Sequence, residues 1–127
     1  MEKRFDFEKL NVYKLALEFV NLCFKLTENF NNKIQFSIGD QLRRASLSIV
    51  TNIAEGRGRR HTKEKKQFFQ TSLASCFECV AILTVCVNYN QIDKENFEDL
   101  YKRCFILSKM LSKLIKSVNT KYQNVKY

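Results

Sequence analysis

The chain has 127 residues, the size of one ordinary domain, and can bury about two-thirds of its unfolded surface without a metal or disulfide staple. Its 45% apolar content excludes a disordered chain, and zero prolines with only three glycines suits long helices, which both residues weaken. A net charge of +9 makes nucleic acid, an anionic membrane surface or an acidic protein the natural partners.

The first helix is expected over residues 7–29. Phe7, Leu10, Tyr13, Leu17, Val20 and Phe24 recur at three- and four-residue steps, and a second stripe runs Leu15, Phe19, Leu22 and Leu26. Two adjacent apolar stripes imply a helix covered on more than one side, as in a bundle helix that also meets another subunit. Residues 29–37 are polar and weakly patterned, hence a loop.

The second helix is expected over residues 38–55, with Ile38, Leu42, Ala45, Ile49 and Ile53 as its core stripe. Beside that stripe lies a row of small or polar residues, Gln41, Ala45, Ser48, Asn52 and Glu55. The row is either a solvated face or a close helix approach with a paired polar network. Gly56 and Gly58 should end this helix in the left-handed cap conformation.

The third helix is expected over residues 62–90, with Thr62 as N-cap and Phe69, Leu73, Cys76 or Phe77, Val80, Leu83 and Val87 facing the core. The fourth is expected over residues 93–118. Asp93 should cap it, and Ile92 with Phe97 has the spacing of a hydrophobic staple. Its seam, Phe97, Leu100, Cys104, Leu107, Leu111, Leu114 and Val118, alternates three- and four-residue steps, the pattern of left-handed bundle packing. A polar tail from about residue 119 is expected to fray. The four helices, joined by short connections, define an all-α, antiparallel up-down-up-down four-helix bundle spanning residues 1–127 as one domain.

No convergent polar constellation suggests an enzyme. Cys76 and Cys79 form a C-x-x-C pair in the middle of a helix, without the strand–helix setting of a redox motif or a second ligand pair for zinc. With Cys23, Cys86 and Cys104 they make an odd set, read as buried, reduced thiols of a reducing compartment. His61, the only histidine, lies in an arginine-rich turn. Asp93, Glu95, Glu98 and Asp99 open the fourth helix, where negative charge complements the helix dipole. No metal and no cofactor are expected. Met1 is followed by charged residues, and no run approaches the ~18 apolar residues of a bilayer span. The expectation is a soluble, cytoplasmic protein with no membrane contact.

The basic signal is concentrated in residues 57–66, where Arg57, Arg59, Arg60, Lys63, Lys65 and Lys66 are opposed only by Glu64. Lysines at a helix start oppose the dipole, so helix stabilisation does not explain them. Arg57, Arg59, Arg60, Lys63 and Lys66 are the candidate phosphate contacts for RNA or DNA. Nothing in the segment reads bases, because it holds no aromatic platform and no Asn or Gln pair at groove-reading spacing. Lys109, Lys113 and Lys116 share a face of the fourth helix, where cations are also explained by the helix C-terminus.

Residues 40–60, DQLRRASLSIVTNIAEGRGRR, resemble the signature of the four-helix-bundle family named for 23S ribosomal RNA intervening sequences. Gln41, Leu42, Arg43, Arg44, Ala45, Ser48, Ile49, Asn52, Ile53, Ala54, Glu55, Gly56, Gly58 and Arg59 carry the likeness. The opening from Phe7 to Lys14, with Phe69 and Glu78, extends it over about residues 5–118. Tyr13 stands where that family commonly has Trp, Val50 where it has Pro, and Asn90 where a Gly is usual. The resemblance implies no enzymatic activity. It is similar in turn to the accessory proteins of diversity-generating retroelements, and so implies a homopentamer whose basic surface binds nucleic acid and a reverse transcriptase. The competing reading is a protein-interaction or structural scaffold with no nucleic-acid role.

Overall fold

A computed structural model describes the backbone of residues 1–126 and the side chains of residues 1–118. The expected first helix is divided. A 3-10 turn spans Asp6–Lys9, Leu10 is extended (φ −70°, ψ 131°), and helix α1 runs Asn11–Thr27. The turn is closed by Glu8, whose carboxylate accepts from the Phe5 amide at 3.1 Å. Asp6 of this turn pairs with Arg57 at 2.7 Å, and the extended Leu10 lets the turn lie against α3 before α1 begins.

The Thr27 hydroxyl donates to the Phe24 carbonyl at 2.8 Å where α1 ends. The expected loop contains a short helix, α2 (Asn32–Gln35), opened by Asn31, whose side chain accepts from the Lys33 amide at 2.9 Å. Helix α3 (Ile38–Gly58) follows. A clamp joins these three helices. Gln35 donates to the Thr27 carbonyl at 2.7 Å, and Arg43 donates to the Gln35 side chain at 2.7 Å, to its carbonyl at 2.8 Å and to Asp40 at 2.6 Å. Two of these acceptors, the carbonyls of Thr27 and Gln35, are left over at helix ends.

Helix α4 spans Thr62–Asn88 and helix α5 Lys94–Lys126. Asp93 accepts from the Asn96 amide at 2.7 Å, as the cap reading requires, and Ile92 is buried with Phe97 half-buried beside the core. Thr62 is the first helical residue of α4, and the N-cap is His61, which makes no side-chain cap bond. The helical backbone of α5 continues past the expected end at 118; the side chains of the expected polar tail lie outside the described residues.

Side-chain pairings set the directions. Gly56 meets Phe69 while Ser48 meets Ser75, so α3 and α4 run oppositely. Asp6 lies at Arg57 while Cys23 lies beside Ser46, so α1 is antiparallel to α3. The five-residue connection from α4 to α5 reverses the chain again. Each long helix packs on two others, in the cyclic order α1, α3, α4, α5. Four long helices around one core make the molecule an all-α four-helix bundle.

The core holds Leu42, Ala45, Ile49 and Ile53 from α3, and Leu100, Cys104, Leu107 and Leu111 from α5, as their periodicity predicts. In α1 the expected leading stripe is largely displaced. Leu17 and Phe24 are exposed, while Val12, Ala16, Phe19 and Cys23 form the inner seam. Small Ala16 and Cys23 on that seam let α1 lie close to its neighbours, which a Leu17–Phe24 seam would prevent. In α4 the seam is Phe69, Ser72, Cys76, Cys79 and Leu83, and Phe77 points outward. An 18-residue window of α4 is apolar enough by composition to cross a membrane, contrary to the expectation that no run approaches that length. Here α4 packs between α3 and α5.

The glycines do not cap α3 as expected. Neither has positive φ, and both lie within the helix. Gly56 is buried against α4, where an added Cβ would stand 2.6 Å from the Phe69 ring. The left-handed residue is Asn90 (φ 60°), in the α4–α5 connection where the resemblance expects glycine. Asn tolerates that conformation better than other side chains do. Gly56→Ala should therefore lower stability by about 1–3 kcal/mol through overpacking against a buried ring, despite the gain in helix propensity. Gly58→Ala, with open space around the new methyl, should be neutral or stabilising. Chemical denaturation of the two variants checks the contrast, and equal effects would contradict it.

Candidate nucleic-acid interface

The five basic candidates cluster where α3 passes into α4, with Arg57 in the last turn of α3, Arg59 and Arg60 between the helices, and Lys63 and Lys66 at the start of α4, but their environments differ. Arg57 donates to Asp6 at 2.7 Å. Arg59 donates to Glu55 at 2.9 Å, lies 3.8 Å from Glu64 and covers the Phe68 ring at 4.8 Å from its centroid. Both guanidinium groups thus have internal anions. Arg60 and Lys63 are exposed, Lys66 is half-buried, and none of the three has a carboxylate partner among the described residues.

Lys65 has another task. Its ammonium donates to the carbonyls of Arg57 at 2.9 Å and Gly56 at 3.4 Å, at the negative end of α3. One lysine at the start of α4 is therefore explained by the end of the preceding helix. Asp6 titrates below the usual carboxylate range because Arg57 bonds and faces it. Its pairing is in place above pH 3.8, the ordinary value, and is lost as pH falls through the lowered one.

The polar row of α3 is divided by the α4 contact. Asn52 donates to the Ser48 carbonyl at 2.8 Å and to its hydroxyl at 3.0 Å, and Ser75 donates to the Ser48 hydroxyl at 2.8 Å. Buried Ser72 donates to the Ile49 carbonyl at 2.8 Å. Ala45 is buried, Gln41 is exposed, and Glu55 is exposed and paired with Arg59. The middle of the row is a network between two helices, and its two ends face outward.

Cys23, Cys76, Cys79, Cys86 and Cys104 are all buried free thiols. Burial pushes Cys23 and Cys76 up to about 12 and raises the other three as well. Such thiols are poor nucleophiles. Among the described residues no group of three or more His, Cys, Asp or Glu could hold a metal ion. Asp99 pairs with Arg103, which also reaches Glu18 across to α1. Lys109 lies over the Phe105 ring at 5.2 Å.

Two surface features carry no clear signal in the sequence. A groove of about 710 Å³ lies between the 3-10 turn and the end of α3, lined by Phe5, Phe7, Thr51, Ala54, Arg57 and Arg59 among others. A smaller groove of about 250 Å³ runs between α4 and α5, where Phe77, Tyr101 and Phe105 are exposed. Periodicity marks these aromatic rings as apolar but does not say which lack a cover.

An all-helical bundle with a basic inter-helix turn defines the class. The particular family follows from comparison: residues 8–113 match the model of the 23S rRNA-intervening sequence protein family, and the chain belongs to that family. No curated protein matches it. A crystal structure of a protein of unknown function from the S23 ribosomal protein family of Bacteroides thetaiotaomicron has the same fold. Its TM-score is 0.78 at 23% identity, with 83% of this chain and 98% of that chain covered.

Asn52→Ala should cost on the order of 1 kcal/mol, since the Ser48 carbonyl and hydroxyl each lose a donor. A change below about 0.5 kcal/mol in denaturation experiments would show a merely solvated face. The raised thiols give a pH signature. Their stabilisation is full below the ordinary value of 9.0 and is lost as pH rises toward about 12, because unfolded chains ionise first. Under reducing conditions Cys76→Ala should flatten the loss of stability above pH 9.0 by about 1.4 kcal/mol per pH unit. An unaltered slope would mean that Cys76 is accessible.

Proposed function

We propose that this chain is a non-enzymatic accessory protein that assembles with copies of itself and binds RNA or DNA through the α3–α4 turn. The observation carrying the reading is that Arg60, Lys63 and Lys66 have no carboxylate partner among the described residues, in a chain of net charge +9. Charge left uncompensated on a tight turn at a helix start suits phosphate oxygens, which can meet side-chain and backbone donors together. Arg57 and Arg59 are second-rank contacts, since a phosphate must compete there with Asp6, Glu55 and Glu64.

Self-association is supported by the uncovered apolar side chains: Leu17 and Phe24 on α1, and Phe77, Tyr101 and Phe105 on the α4–α5 side. The resemblance to retroelement accessory proteins supplies the number five and a reverse transcriptase as protein partner. In a ring each copy repeats the basic turn, so modest single contacts multiply. Free buried thiols favour a reducing compartment, and we assign the protein to the cytoplasm. A second reading, a scaffold without nucleic acid, is favoured by the internal ion pairs of Arg57 and Arg59.

Replacing Arg60, Lys63 and Lys66 together with Ser should weaken nucleic-acid binding at low salt. It should also reduce the slope of log affinity against log salt by about 2–3. Light scattering on the same samples should show parent and variant as equal assemblies larger than a monomer. Unchanged binding would move the contact to another face, and a parent protein that binds nothing at low salt would overturn the nucleic-acid reading and favour the scaffold.

A further inference from the structure

We infer that the groove between the 3-10 turn and the end of α3 takes an unpaired nucleobase, so that the basic turn prefers single-stranded nucleic acid. This deepens the nucleic-acid reading above and rests on it. Sequence alone finds no aromatic platform within residues 57–66. The fold supplies one from a segment some fifty positions earlier, because the 3-10 turn lies on the end of α3, where Asp6 pairs with Arg57.

The Phe5 and Phe7 rings lie side by side, 5.8 Å apart at 24° between planes, and Phe7 is steadied edge-on by Tyr13 at 4.9 Å. Phe5 is 66% exposed, though the reciprocal bonds between Phe5 and Glu8 fix its backbone at 3.1 Å. An exposed aromatic ring on a fixed backbone, beside a second ring, is a stacking surface. Thr51 and Ala54 keep the α3 wall of the groove low; Arg57 and Arg59 line it together with their partners Asp6 and Glu55, and Arg60, which has no carboxylate partner among the described residues, follows them in the chain. The ligand suited to this arrangement has a flat apolar part and an anionic part joined within one residue, which is a nucleotide. Every base offers a π-face whatever its identity, so binding is sequence-tolerant. A duplex already has its bases stacked on each other and must unstack one to use the groove.

The test uses the full chain and three ligands at low salt: an unstructured oligonucleotide, the duplex with its complement, and an abasic strand of the same length. The parent should prefer the unstructured strand. Phe5→Ala should lower its affinity for that strand on the order of 10-fold, leave duplex and abasic binding unchanged, and Phe5→Tyr should restore the loss. Equal binding of strand and duplex with no effect of Phe5→Ala would overturn this inference while leaving the nucleic-acid reading intact. A parent that binds none of the three would overturn both. Weakened self-association in Phe5→Ala, with the strand-to-duplex ratio unchanged, would assign the groove to a second copy of the chain and overturn the inference as well.

Discussion

Two helices can approach closely only where the side chains between them are small, and the pairing of α3 with α4 depends on this. Ser48 and Gly56 on α3 meet Ser75 and Phe69 on α4, and Ser72 of α4 reaches the Ile49 carbonyl. The serine hydroxyls would be costly in such a contact if left alone, so each bonds across the interface or to a backbone carbonyl. The two helices share the most extensive helix–helix contact of the bundle, and α1 and α5 complete its core. The basic turn is the link between the two most tightly packed helices, and its geometry is therefore inherited from Gly56, Phe69 and the serines.

The electrostatics of the turn follow from the same constraint. With α3 and α4 antiparallel and close, the negative end of one helix lies beside the positive end of the other. Lys65 joins them by donating to the last carbonyls of α3. Glu55 and Glu64 compensate Arg59, and Asp6 compensates Arg57. The remaining cations are those for which no structural task is visible among the described residues. Sequence treats all six basic residues as one patch, whereas the fold divides them into structural and available groups.

The bundle was legible because α3 and α5 each have a single apolar stripe with one possible inner face. Helix α1 was less so, since its apolar residues occupy more than half of its circumference. Periodicity alone cannot choose between a Leu17–Phe24 seam and a Val12–Ala16–Phe19–Cys23 seam; neighbour distance makes that choice. Gly56 looked like a stop signal because glycine usually serves as one, and the Phe69 ring that demands it lies thirteen positions later. Asp40 and Arg43 lie in the stretch that carries the resemblance, and their task, the clamp with Gln35, is not visible in periodicity. The groove at Phe5 was invisible for a related reason, since it exists only through contacts between distant segments.

The five thiols have a consequence for chemical lifetime. All lie in the interior where the helices meet, without a disulfide among them. An oxidant or electrophile reaches them only when the bundle opens, so the rate of thiol damage is set by the frequency of opening and not by the chemistry of sulfur. Once oxidised, a thiol becomes a polar group in an apolar interior and hinders reclosure. Each opening in an oxidising medium therefore carries a risk of being permanent, and the bundle's durability there is a kinetic property as much as a thermodynamic one.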